Sequence, residues 1–212
     1  PVSVTYSTAD GTAIAPNDYD NTNTLNQTLT FNTGETSKTI NVPIVADAID
    51  EPDETFTLTI SNPVPNTVVI PADKATATAT IKNDDTQPTV QFTAPTFTGL
   101  EGTNGTATVE LSMVSGKTVT VNYNMTDGTA TSPADYTAQS GTLTFLPNES
   151  IKAIQIPLKA DKIKETDETF TIHLEESITP PTNATLNPAA RDATFTIKEG
   201  SNWMYMPAIM NK

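Results

Sequence analysis

Val2 to Asp20 reads VSVTYSTADGTAIAPNDYD, and Val119 to Thr137 reads VTVNYNMTDGTATSPADYT. Aligned at Val2 and Val119, the two stretches share Tyr6/Tyr123, an Asp-Gly-Thr-Ala run from Asp10 and Asp127, Pro16/Pro133, and Asp18-Tyr19/Asp135-Tyr136. So specific a repeat predicts two homologous domains. A chain of 212 residues divides into two of ordinary size, each large enough to bury its own core.

Within each copy Val2, Val4 and Tyr6 alternate with Ser3 and Thr5, as Val119, Val121 and Tyr123 alternate with Thr120 and Asn122. That period of two places the apolar set on the core face of a sheet. Asp10-Gly11 and Asp127-Gly128 follow as turn signals, because Gly accepts positive φ and Asp bonds its own backbone. Further strands are predicted at Thr28–Phe31 with Ser37–Val45, and at Thr142–Phe145 with Ile151–Leu158. Pro43 and Pro157 put the second member of each pair at a sheet edge or a bulge. Phe56, Leu58 and Ile60, matched by Phe170, Ile172 and Leu174, form the core face of the next strand, and Ala75–Ile81 and Ala193–Lys198 end the domains.

Domain two has Pro88 to Lys117 ahead of its VTVNY strand, whereas nothing equivalent precedes VSVTY. The chain therefore begins in the middle of a repeat, and the lack of a signal-like N-terminus carries no weight. The expected fold is all-β: two tandem immunoglobulin-like antiparallel sandwiches, the first lacking its N-terminal strands. The boundaries are 1–86, 87–200, and an apolar tail at 201–212.

The net charge of −14, with only 17% charged residues, argues against nucleic acid, which requires clustered Lys and Arg. Cations are the natural counterpart. Cysteine is absent, so disulfides and thiol chemistry are excluded. No apolar run approaches the roughly 20 residues of a membrane span. There is no Cys nucleophile, no His-based triad and no Gly-rich phosphate loop, so no enzyme is expected. The single His173 reads as an exposed strand residue, on the face opposite Ile172 and Leu174.

The ordered set of Asp-Gly-Thr-Ala, Asp-Tyr, a Gly34-Glu35 or Asn148-Glu149 turn, Ile40 to Ile44, Asp-x-x-x-Glu-x-x-Glu-x-Phe from Asp47 and Asp161, and Ile81 to Asp85 resembles the Calx-β family. The resemblance covers nearly all of the chain but the tail. It implies calcium held by loop carboxylates at one end of each sandwich. In domain one these are Asp18, Asp47, Glu51, Asp84 and Asp85, with Glu54 close by; in domain two, Glu101, Asp135, Asp161 and Glu165, with Glu168 close by. Lys198 to Ser201 replaces the stretch ending in Asp84-Asp85, and Lys164 stands where domain one has Asp50, so the second site reads as weaker. Calcium is a hard ion that takes six to eight oxygens, which suits the first loop set. The bland alternative is solvated charge that keeps a surface protein soluble.

The family resemblance implies an extracellular or cell-surface protein with a structural or adhesive role, rigidified by calcium. Its partners would be neighbouring copies or repeats, or a cell-surface protein or glycan. The competing reading is a calcium-sensing regulatory module. The linker Thr86-Gln87-Pro88 is short and contains Pro, which favours a stiff array.

The tail carries the only Trp and three of the five Met. Trp203, Tyr205 and Pro207 alternate with Met204 and Met206, with Ile209 beyond, as in an extended strand. An incomplete first domain exposes unpaired edges that a donated strand would repair. The tail of one copy inserting into the next would build a head-to-tail filament; alternatively it packs on its own domain or serves as a sorting segment, and upstream residues or a preceding repeat complete domain one. On the filament reading, deletion of Trp203 to Lys212 abolishes polymers in size-exclusion chromatography, and polymers that persist exclude it.

Overall fold

The computed structural model describes residues 1–161, 163–175 and 183–200. Trp203, Tyr205, Met206 and Ile209 lie outside the described residues. The chain separates into two units, the first ending at Asp85 and the second beginning at Thr86. No helix among the described residues is long and apolar enough to cross a membrane.

The first unit is one antiparallel sheet of β1 (Val2–Asp10), β2 (Gln27–Phe31), β3 (Glu54–Val64) and β4 (Thr76–Ile81), in the order β2-β1-β3-β4. The second unit is a full sandwich. One sheet has the order β10-β7-β5-β12, built from β5 (Thr89–Phe92), β7 (Asn104–Leu111), β10 (Ile151–Pro157) and β12 (Thr185–Leu186). The other has the order β6-β13-β11-β8-β9, built from β6 (Thr96–Leu100), β8 (Val119–Asp127), β9 (Gly141–Phe145), β11 (Glu168–Glu175) and β13 (Asp192–Lys198). Two pairings, β6 with β13 and β5 with β12, run parallel, so the expected antiparallel pattern is relieved at both edges.

The sheet β2-β1-β3-β4 is the repeat counterpart of β9-β8-β11-β13. Among the described residues the first unit has no facing sheet. The expected strand at Ser37–Val45 is absent: only an isolated bridge joins Ile44 to Tyr19. In the second unit the matching stretch becomes β10 by bonding β7 along its whole length. No strand among the described residues takes the place of β7 in the first unit, and a strand without a neighbour has no ladder to make. Pro157 does end β10 at a sheet edge, as its missing N–H requires.

Packing follows the same division. Val119, Val121, Tyr136, Phe145, Phe170, Ile172, Leu174 and Phe195 are buried between the two sheets of the second unit. In the first unit the buried cluster is Ala13, Tyr19 and Phe56, and Leu58 and Ile60, expected in the core, are only half-buried. They border the place where a second sheet would lie. A cleft of about 740 Å³ opens there, lined by Ile40, Val42, Ile44, Leu58 and Ala79. His173 is half-buried, with Nδ1 2.9 Å from Asp192 Oδ1.

The Asp-Gly pairs also turn differently from expectation. Gly34 and Gly102 are the glycines with positive φ among the described residues; Gly11 and Gly128 are not.

The inequality of the two cores yields a measurable order of unfolding. In urea, followed by hydrogen exchange, amides of β8 and β11 should stay protected beyond those of β1 and β3. Phe170→Ala should destabilise the second unit by about 3–5 kcal/mol through cavity formation. Simultaneous loss of protection in both units would contradict this.

Candidate metal centre

The end of β8 leads into the loop 128–135, and Tyr136 closes it. The Tyr136 ring is fully buried, stacked on Phe170 with centroids 3.9 Å apart, and its hydroxyl donates to Asp127 Oδ1 at 2.7 Å. Asp135 precedes this anchor. Its carboxylate Oδ2 accepts the Thr131 N–H at 2.7 Å, and its carbonyl accepts the Lys159 N–H at 2.8 Å. The first unit repeats the arrangement. Tyr19 stacks on Phe56 at 4.3 Å and donates to Asp10 Oδ1 at 2.6 Å, while Asp18 Oδ2 accepts the Ile14 N–H at 2.6 Å.

From this anchor three carboxylates converge. Asp18, Glu51 and Glu54 each offer an oxygen within 4.8 Å of the other two, and so do their counterparts Asp135, Glu165 and Glu168. The second unit adds a further group, Glu101, Asp161 and Glu165, which shares Glu165 with the first. Glu101 follows β6, where its N–H donates to the Lys198 carbonyl at 3.0 Å.

So the structure brings together Asp18, Glu51 and Glu54, and likewise Glu101, Asp135, Asp161, Glu165 and Glu168. Asp47, Asp84 and Asp85 stand around the first triad rather than in it. The charge of Asp47 and Asp85 still reaches it: burial, then Asp47, Asp18 and Asp85, push the Glu51 carboxyl above the usual range. Burial, then Asp18 and Glu51, push Glu54 up. Asp85 is raised by desolvation and then by Asp84, Asp47 and Asp50. In the second unit burial raises Glu165, followed by Asp161, Asp135, Glu101 and Glu199; burial also raises Glu168, followed by Asp135 and Glu165.

Two residues were missed in sequence. Asn83 Oδ1 accepts the Glu51 N–H at 2.9 Å, and its Nδ2 donates to Asp50 Oδ1 at 3.1 Å. Glu199 Oε2 accepts the Glu165 N–H at 2.8 Å. These are repeat partners, and the shared Ile-Lys that precedes each could have located them. Lys82 pairs with Asp53 and Lys198 with Asp167 in the same way. Where the sequence shows only a lost Asp pair, Glu199 therefore restores a carboxylate to the second cluster. Lys164 is exposed.

Oxygen-only donors, several of them carboxylates, suit a hard divalent cation and give no soft ligand for zinc or copper.

A family model for the Calx-beta domain matches residues 1–86 and again 83–201. The chain belongs to the Calx-beta family. Adhesion G-protein coupled receptor V1 of Danio rerio is 32% identical over 160 residues, covering 73% of this chain and 2% of the receptor. Sodium/calcium exchanger 1 of Bos taurus is 32% identical over 193 residues, covering 82% of the chain and 20% of the exchanger. The exchanger Calx of Drosophila melanogaster is 33% identical over 178 residues, covering 82% and 18%. The chain thus spans a small part of each relative. Among solved structures, the CBD12 region of CALX1.2 aligns with a TM-score of 0.43 at 25% identity, covering 93% of this chain and 87% of that one. The apo-form Calx CBD1 domain aligns with 0.48 at 24% identity, covering 54% and 98%.

The raised glutamates give this Calx-beta pair a defined pH response without metal. A carboxyl raised in the fold favours the folded state below its unfolded value, about 4.3 for Glu, and loses that contribution as pH rises through the folded value. At pH 7.5 in chelator the clusters are therefore a burden. Glu168→Gln should raise the melting temperature there by a few degrees, and the gain should vanish near pH 4. A lower melting temperature at pH 7.5 would contradict the electrostatic account.

Proposed function

We propose that this tandem Calx-beta module binds calcium in its loop carboxylates and acts as a calcium-responsive regulatory element. The observation that carries the reading is the triad built twice, Asp18/Glu51/Glu54 and Asp135/Glu165/Glu168, in a chain of the Calx-beta family. The fit is chemical. Clustered like charges raise the energy of the empty loops, and a cation removes that repulsion while adding coordination. Asp47, Asp84 and Asp85 would complete the first site, and Glu101, Asp161 and Glu199 the second. Ordering of these loops is the signal a neighbouring part of a larger protein would read. Similarity to the sodium/calcium exchangers over 82% of the chain supports regulation over adhesion.

A second reading is a calcium-stiffened surface array, extracellular and adhesive, engaging neighbouring copies or a surface protein or glycan. The match to the zebrafish adhesion receptor favours it. Affinity separates the two. A sensor binds calcium with Kd on the order of 10⁻⁷ to 10⁻⁵ M, an extracellular module on the order of 10⁻⁴ to 10⁻³ M.

Calorimetric titration of the metal-free chain should show binding in the sensor range. Glu165→Gln, which removes the carboxylate shared by both groups in the second unit, should abolish that unit's share of the heat. No binding at 10⁻² M calcium, roughly tenfold above the weakest class, would overturn both readings.

A further inference from the structure

The repeated Asp-Gly-Thr-Ala run does more than turn the chain. At the start of β11 the ladder with β8 reaches only Phe170, opposite Asp127. Thr169 is left beyond it, and the run supplies both missing bonds. Its N–H donates to Thr129 Oγ1 at 2.7 Å, and its carbonyl accepts the Ala130 N–H at 2.9 Å. In the first unit Thr55 donates to Thr12 Oγ1 at 2.8 Å and accepts the Ala13 N–H at 2.9 Å.

Each letter of the run now has a reason. The Asp accepts the buried tyrosine hydroxyl. The Gly is required by close approach: a Cβ at Gly11 or Gly128 would lie 2.4 Å from the carbonyl oxygen of Thr55 or Thr169. The Thr hydroxyl takes an N–H that no strand reaches. The Ala, fully buried at both positions, leaves no room for a larger side chain.

What the run grips is the residue directly after a triad glutamate. Thr169 follows Glu168, and Thr55 follows Glu54. The same loop runs on to Asp135 or Asp18, the triad aspartate. One short segment thus joins the two chain stretches that bring two of the three carboxylates together, against their mutual repulsion.

We propose that Thr129 and Thr12 are positioning residues for the bound cation: by clamping Thr169 and Thr55 they hold Glu168 to Asp135 and Glu54 to Asp18 at ligand spacing before the ion arrives. The inference rests on the calcium reading above. It deepens that reading by assigning the preorganisation of each site to a hydroxyl that never touches the ion. Without the clamp the carboxylates spread, and binding must first reassemble them, which costs affinity.

Calcium titration of the whole chain, followed by amide NMR with Gly11 and Gly128 as reporters of the two units, tests this. Thr129→Val should weaken binding in the second unit on the order of tenfold, comparable to one hydrogen bond of net worth, and leave the first unit unchanged. Thr12→Val should do the reverse, and Thr129→Ser should restore wild-type affinity. Unchanged affinity in Thr129→Val, equal loss in both units, or no rescue by Ser overturns the proposal while the calcium reading stands. A Thr129→Val chain whose second unit fails to fold also overturns it, since the hydroxyl would then hold the fold rather than the triad. A wild-type chain with no calcium response in either unit overturns the calcium reading itself.

Discussion

Tyr136, with its ring against Phe170 and its hydroxyl on Asp127, is where the core of the second unit and its acidic loops become one object. Burial of the ring drives the stack, and burial also obliges the hydroxyl to find a partner. Desolvation, reinforced by the neighbouring carboxylate, pushes the phenol up, to about 12 for Tyr19 in the first unit. The group therefore stays a donor at any physiological pH. In return, Asp10 is held below the ordinary carboxylate range by Tyr19 and then by the Ala15 N–H. The polypeptide between Asp and Tyr has both ends pinned, and the triad aspartate sits one residue from the second pin.

The incomplete first unit separates what the site needs from what the fold needs. Among the described residues it has no facing sheet, its apolar face is only partly covered, and its buried cluster shrinks to Ala13, Tyr19 and Phe56. Yet Asp18, Glu51 and Glu54 converge as their counterparts do. Every element that delivers them belongs to β1, β3 and the loops beside them, the sheet that both units share. The Glu101 group is different. Glu101 comes from between β6 and β7, so that group exists only where these strands do.

Charge explains why the clusters are poised. Five glutamate and aspartate carboxyls in and beside the triads are held above their usual range, and in each case burial is the larger cause, with neighbouring carboxylates second. The backbone N–H of Glu51 or Glu165 is accepted by a side chain from the end of the last strand. That this acceptor is Asn83 in one unit and Glu199 in the other shows one geometric role carried by a neutral amide and by a carboxylate. The second cluster compensates for its lost Asp pair through the residue that already held its loop.

Much was legible in the sequence by itself. Period-two alternation reported β1, β8 and β11 because one face of each lies on a core, and the doubled motif reported two like units. The ligand-type residues were legible because carboxylates repeated at fixed distance from a Tyr and a Phe inherit a common frame. Tertiary structure decided the rest. Ser37–Val45 has strand composition but no strand among the described residues to pair with, since a ladder is a property of two segments. Asp47 and Asp85 resemble triad members in sequence and stand outside it, because spacing along the chain does not set the direction in which a loop carries its side chains. The Asp-Gly-Thr-Ala run looked like a turn, and only the folded chain shows its glycine against the Thr169 carbonyl. Hydrogen bonds between residues 40 positions apart are made by the fold, and no local pattern contains them.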